Sequence, residues 1–204
     1  MAPDADEHYF SDAPNAPSDP ETVEVLLADI GFTYTTDRGV FAHGRLDTGT
    51  GLLLRLGPPV PARGALLDLG CGAGPIALTL ARRSPDATVW AVDVNQRARA
   101  LCRDNAERNG LANIEVAAPE EVPTELGFAA IWSNPPIRIG KTALHDLLDS
   151  WLPRLDAGGE AALVVQKHLG ADSLQKWLRS RGYDVDRLAS KSGFRLLVAN
   201  RARL

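Results

Sequence analysis

The run Ala65-Leu66-Leu67-Asp68-Leu69-Gly70-Cys71-Gly72-Ala73-Gly74-Pro75-Ile76-Ala77-Leu78-Thr79-Leu80-Ala81 decides the fold, because it changes character twice. It opens apolar, as a strand covered on both faces does. It then turns through Gly70, Gly72 and Gly74 and continues from Pro75 with helical spacing. Glycine permits positive φ and lets a ligand approach the backbone without a Cβ in the way. Proline suits the first turn of a helix, where its missing N–H costs nothing. A strand, a glycine loop and a helix N-terminus in this order make a site for a nucleotide-like ligand. A tight turn with no ligand is the plain alternative.

The neighbouring landmarks favour the ligand. Thr88 to Asp93 reads as a second strand ending in an acid about 20 residues past the loop, where a carboxylate accepts the hydroxyls of a ribose. Ile131-Trp132-Ser133-Asn134-Pro135-Pro136-Ile137 closes a later strand. The glycines fall as G-x-G-x-G, whereas a dinucleotide fingerprint would place its third glycine at Pro75, so a nicotinamide cofactor is disfavoured.

From Ala65 onward strand and helix alternate: strands at 65–69, 88–93, 113–117, 128–133 and 160–166, with helices at 75–83, 96–109, 142–155 and 171–181. Repeated βα units imply a parallel sheet. Strands at 183–189 and 194–199 have no helix between them and are expected to pair as a hairpin around Lys191-Ser192-Gly193. Residues 22–28 and 31–36, with a third short strand at 39–41, form a β extension before the main fold. Asp47 or Thr48 caps a helix that runs to about Leu56 and ends at Gly57-Pro58-Pro59. The expected architecture is therefore α/β, a Rossmann-like seven-stranded sheet, mostly parallel with a C-terminal antiparallel hairpin. Residues 1–20 read as an acidic, flexible segment, although His8-Tyr9-Phe10 could dock on the domain. Residues 21–204 read as one domain, with 21–57 the extension and helix and 64–204 the ligand-binding fold.

The chain has 204 residues, of which 45% are hydrophobic, enough to bury a full core. No run of apolar residues is long enough to span a bilayer. Two cysteines, Cys71 and Cys102, make no disulfide framework, and a cytoplasmic setting is expected. No His/Cys cluster has metal-ligand spacing, so no metal is expected. The net charge of −4 conceals an asymmetry: residues 1–37 hold nine acids and no Lys or Arg, while residues 138–204 hold twelve basic and seven acidic side chains. The acidic balance argues against general nucleic-acid affinity, but the basic last third allows a local patch. Arg138, Lys141, Lys167, Lys191 and Arg195 are its candidate phosphate contacts, with ordinary solvated surface as the alternative.

Asp68-x-Gly-x-Gly-x-Gly, the strand-end Asp93 and the Asn134 to Ile137 tetrad resemble, in this order, the class I S-adenosylmethionine-dependent methyltransferases. The tetrad is of the kind found in those that methylate nitrogen on a planar amine or amide. Together with His8-Tyr9-Phe10 and the segment Gly39 to Thr50, it resembles the ribosomal-RNA small-subunit guanine-N2 methyltransferases. Gly170 to Leu174 and Ser192 to Arg195 are similar to their single-domain relatives. The resemblance covers about residues 8–200.

It implies S-adenosylmethionine as cofactor and RNA as partner, with methyl transfer to the N2 amine of a guanine. A protein glutamine amide or an adenine amine is the alternative acceptor, and a non-catalytic cofactor-binding module is the alternative class. In this reading Gly70, Cys71, Gly72 and Gly74 form the cofactor loop, and Asp93, with Val94 beside it, meets the ribose. Asp47, Thr48 and Gly49 line the methionine end or simply cap a helix. Asp68 orients loop amides or the methionine amine, or is merely buried among loop N–H groups. The family usually places an Asp where this chain has Ala117-Ala118-Pro119-Glu120, so Glu120 or a backbone group must meet the adenine amine. The Asn134 side-chain oxygen and the Pro135 carbonyl would accept the two N–H protons of the target amine. Pro135 and Pro136 stiffen the loop. Ile137 would pack on the base face.

Overall fold

The computed structural model describes residues 16–136 and 139–201. A two-stranded antiparallel hairpin, β1 (Glu21–Leu26) and β2 (Gly31–Thr36), precedes helix α1 (Thr48–Leu56). The main fold runs β3 (Gly64–Leu69), α2 (Pro75–Arg83), β4 (Ala87–Val92), α3 (Gln96–Arg108), β5 (Ile114–Ala117), β6 (Phe128–Ser133), α4 (Lys141–Trp151), β7 (Leu155–Gln166), α5 (Ala171–Ser180), β8 (Tyr183–Lys191) and β9 (Phe194–Arg201). The seven strands from β3 onward form one sheet in the order β5-β4-β3-β6-β7-β9-β8, in which only β9 runs against its neighbours.

The apolar pattern explains the layers. On one face α1, α2 and α3 bury Leu53, Leu54, Leu78, Leu80 and Cys102, together with Leu66, Val89 and Val164 of the sheet. On the other, α4 and α5 bury Leu148, Trp151, Leu174 and Leu178 against Leu67, Ile131 and Leu163. Consecutive sheet residues serve opposite layers, so a continuous apolar run is what a strand sandwiched between helices requires.

The chain enters the sheet at β3, steps outward to β4 and β5, then returns to pair β6 with the other side of β3. This reversal opens a crevice above the carboxyl ends of β3 and β6, where α/β sheets bind ligands. The Ser133 hydroxyl donates to the Leu69 carbonyl at 2.6 Å and ties those two strand ends together.

Three expectations need correction. Residues 39–41 form turns rather than a strand: Gly39 (φ 77°) and Ala42 (φ 60°) curl the chain, and the Asn95 amide holds the Gly39 carbonyl at 2.8 Å. The helix expected over 142–155 stops at Trp151, because Pro153 cannot donate to the helical ladder. Strand β7 then begins at Leu155, five residues earlier than expected, through an irregularity between Phe128 and Ala130. Gly159 fits there because a Cβ would lie 2.9 Å from the Phe128 carbonyl oxygen. The closing hairpin turns at Ser192 (φ 53°) and Gly193 (φ 81°), two positive φ values that match a tight two-residue connection.

Candidate active site

A cleft of about 720 Å³ opens at the carboxyl ends of β3, β4, β6 and β7. Its floor is the glycine loop. The Gly70 and Cys71 amides both donate to the Val92 carbonyl (2.8 and 3.0 Å), and the Gly72 amide donates to Asp93 Oδ2 at 2.9 Å. Gly70 and Gly72 have φ of 79° and 54°. A Cβ on Gly70 would meet nothing within 4 Å, and one on Gly72 only Val40 at 3.9 Å, so both would project into open space along the cleft. Gly74 serves packing instead, since its Cβ would lie 2.6 Å from Cys102 Sγ. The Cys71 thiol is buried, and its contact with Cys102 together with burial keeps it protonated.

Gly74 occupies the N-cap position of α2 and has no side chain with which to cap it. Asp68 replaces it from the strand below: its Oδ2 accepts from the Ala77 amide at 2.9 Å, satisfying a donor of the first turn. Asp68 is fully buried, its Oδ1 has no partner among the described residues, and burial pushes its carboxyl up to about 8. It does not line the cleft.

Asp93 does line it. Its carboxylate holds the Gly72 and Asn95 amides at 2.9 Å each, and burial, the largest influence on it, raises its pKa above the usual carboxylate value. Val94, beside it, is exposed on the cleft wall. Asn95 caps α3 through Oδ1, which accepts from Ala98, and through Nδ2 pins the loop carrying Val40, Phe41 and Ala42 over the cleft.

The other end of the cleft is organised by Asn134. Its Nδ2 donates to Asp47 Oδ2 at 2.8 Å and to Thr50 Oγ1 at 3.0 Å. A carboxylate cannot donate, so the amide nitrogen must face Asp47. Both amide protons are thereby used, and Oδ1 remains as an acceptor with no partner among the described residues. Asp47 Oδ2 also accepts from the Thr50 amide at 2.9 Å, so one carboxylate oxygen both caps α1 and orients Asn134. Pro135 and Pro136 line the same end of the cleft.

Other sequence candidates lie elsewhere. Thr48 is exposed and off the cleft wall. Gly49 is buried beneath Phe194, whose ring would be 2.7 Å from a Cβ there. Glu120 is exposed on a short helical turn, and Pro119 lines the wall in its place. Arg195 is buried and paired with Asp172 of α5, so it is not available to a phosphate. Ile137, Arg138 and His8-Tyr9-Phe10 lie outside the described residues. Folding also brings ligand atoms of Asp19, Glu21 and His43 within 4.8 Å of one another, a grouping that sequence spacing hides.

Sequence reading missed Val40, Phe41, Asn95, Gln166, Leu169 and Phe194, all on the wall. Asn95, Gln166 and Leu169 sit in none of the quoted motifs, and Val40, Phe41 and Phe194 lie in quoted segments without being singled out; they converge because β4 and β7 end, and β9 begins, at the same end of the sheet. Phe41, Val94 and Leu169 are half of the six large apolar side chains left exposed among the described residues, so the mouth of the cleft is apolar.

The model of the methyltransferase small domain matches residues 31–198. The chain belongs to the methyltransferase small domain family. The Bacillus subtilis (strain 168) protein YbxB, itself uncharacterized, is 36% identical over 198 residues, covering 96% of this chain and 98% of its own. A ribosomal RNA small subunit methyltransferase C from Ectopseudomonas mendocina (strain ymp) is 40% identical over 187 residues, covering 89% of this chain and 55% of its own. Among solved structures, the T. thermophilus 16S rRNA N2 guanine methyltransferase RsmC, in complex with AdoMet and guanosine, superimposes with a TM-score of 0.77 at 26% identity, over 93% of this chain and 52% of that one. The chain thus spans about half the length of the ribosomal RNA methyltransferases it matches. Family and fold together bear out the expected methyltransferase and its seven-stranded architecture. No helix among the described residues is long and apolar enough to cross a membrane.

Proposed function

We propose that this methyltransferase acts on the exocyclic N2 amine of a guanine in ribosomal RNA, with S-adenosylmethionine as methyl donor. The observation that carries the reading is the Asn134 amide, locked by Asp47 and Thr50 with its oxygen left as an acceptor beside Pro135.

The cleft fits the donor. The open glycine cradle at Gly70 and Gly72 admits a ligand where a Cβ would stand, and Asp93 offers a carboxylate beside it for ribose hydroxyls. Val94, Asn95 and Pro119 flank that end. Bound there, S-adenosylmethionine supplies an electrophilic methyl group whose departing thioether is neutral, so little acid–base help is needed.

The chain's own work is positional. A guanine N2 amine has its lone pair delocalised into the ring. Asn134 Oδ1 and the Pro135 carbonyl accept its two N–H protons, favour a pyramidal nitrogen and stabilise the positive charge that grows on it. The prolines hold these acceptors still. The base must be unpaired or flipped to enter.

RNA suits the rest of the rim. Topology brings Lys141 at the start of α4, Lys167 after β7 and Lys191 in the β8–β9 hairpin to the same sheet edge, all exposed. These are the phosphate contacts of this reading, and a ribosomal substrate implies a cytoplasmic setting.

Two measurements test it. Incubation with ribosomal subunits and labelled donor, followed by digestion to nucleosides and mass spectrometry, should yield N2-methylguanosine. N6-methyladenosine, or label in protein alone, overturns the guanine assignment. Asp93→Ala should weaken donor binding by about 1.5–3 kcal/mol, the scale of hydrogen bonds to a charged group. Asn134→Ala should keep most donor affinity and lose roughly 100-fold or more in transfer.

A further inference from the structure

We infer that Gln166 reads the Watson–Crick edge of the acceptor base, which makes it the residue that selects guanine; this rests on the guanine reading above. Gln166 is the last residue of β7 and lines the cleft half-buried. Its side-chain amide has no hydrogen-bond partner among the described residues, although the other cleft amides, Asn95 and Asn134, are both engaged. Its amide atoms stay accessible from the cleft, free to meet a ligand without breaking a contact within the protein.

The register shows what it faces. Gln166 pairs with Phe194 across β7 and β9, so the two side chains stand on the same face of the sheet. That is the face of Ala162, Val164 and Leu196, which pack under α1. Phe194 in turn rests over Gly49, in the α1 turn that Asp47 caps and whose cap orients Asn134. Counting on from the pair Ser133↔Leu163, Gln166 stands three residues, about 10 Å, beyond the end of β6 and beside the Asn134 loop. Asn134 and Gln166 are thus the amides on the two adjacent strand ends at this side of the cleft, with the Phe194 ring beside them.

The chemistry is complementary. With the N2 amine held by Asn134 and Pro135, the next positions along the guanine edge are the N1–H donor and the O6 acceptor. A glutamine amide presents one acceptor and two donors. Its Oε1 accepts from N1–H while its Nε2 donates to O6. An adenine placed with its amine at Asn134 offers an N1 acceptor and no second polar atom on that side, so it can make one of these bonds at most.

Three nucleosides separate the contacts. Guanosine carries N2, N1–H and O6. Inosine keeps N1–H and O6 but lacks N2. The riboside of 2-aminopurine keeps the amine but lacks N1–H and O6. Their affinities are measured by ligand-observed NMR on the full chain loaded with S-adenosylhomocysteine, whose own affinity reports on folding. Gln166→Met, close in volume, should weaken guanosine and inosine by on the order of tenfold or more and the 2-aminopurine riboside, whose bare N1 takes at most one of the two bonds, by clearly less. Gln166→Glu, which cannot donate to O6, should weaken the same two ligands. Asn134→Ala should show the opposite pattern, weakening guanosine and the 2-aminopurine riboside and sparing inosine. If all three ligands fall equally in Gln166→Met, or none does, the assignment of Gln166 is wrong while the guanine reading stands. If the wild-type protein binds guanosine no better than adenosine, the guanine reading fails, and the assignment with it.

Discussion

Asp47→Ala tests the idea that one carboxylate builds both a helix and an acceptor site. Asp47 Oδ2 accepts from the Thr50 amide at 2.9 Å and from Asn134 Nδ2 at 2.8 Å. Losing the cap costs about 1 kcal/mol. Losing the contact to Asn134 costs about 1 kcal/mol more, taken below the usual range for a charged acceptor because Asp47 is only half-buried. The variant should therefore lose about 2 kcal/mol in chemical denaturation, equivalent to roughly 4–8 °C in melting temperature for a chain of this size. Asn134 would keep Thr50 as its only partner, and its amide could then rotate its nitrogen toward the acceptor amine. Transfer should consequently fall by about 10- to 100-fold beyond any effect on donor affinity. Asp47→Asn keeps one oxygen that can accept from both the Thr50 amide and Asn134 Nδ2, so it should restore most of the stability and most of the rate. The decisive comparison is single-turnover methyl transfer at saturating donor, alongside calorimetry of donor binding. A wild-type single-turnover rate in Asp47→Ala, despite lowered stability, would refute the orienting role and leave Asp47 a helix cap.

Gly49→Ala would push the Phe194 ring aside, since the new Cβ falls 2.7 Å from it; acceptor KM should rise while donor affinity, read by calorimetry, holds. Gly74→Ala meets Cys102 Sγ at 2.6 Å and must also adopt a φ of 93°, so it should destabilise the fold by about 2 kcal/mol in denaturant titration. Asp68 is raised to about 8 by burial, so the folded state holds a proton that the unfolded state releases above about 4. Its contribution is fully present below pH 4 and is lost as pH rises toward 8; Asp68→Asn, which keeps an acceptor for Ala77, should flatten the stability profile across that window. An unchanged profile in the variant would point to Asp93, whose carboxyl burial also raises, as the dominant group.

The order of elements was legible in the chain itself because each boundary is set by neighbouring residues. Helix α2 spans the residues expected from Pro75 and the apolar spacing after it, and β6 those expected from the apolar run before Asn134. Asp93 and Asn134 were found for the same reason: each sits where a strand stops, and strand ends at the switch point of a parallel sheet are where ligands bind. Tertiary structure alone decided who stands opposite them. Asn105 lies inside α3 without a motif, yet it bonds both backbone groups of Thr35 and the carbonyl of Ala73, joining the hairpin, the glycine loop and α3. Gln166 meets the cleft because β7 lies beside β6, and Phe194 stands next to it because β9 folds back antiparallel along β7. Asp47 became an orienting group because Asn134 arrives 87 residues later in the chain. Local sequence encodes dihedral preference and which face is apolar, both short-range properties. The partner of a side-chain amide is chosen by which strand ends meet, and that follows from strand order and register across the whole sheet.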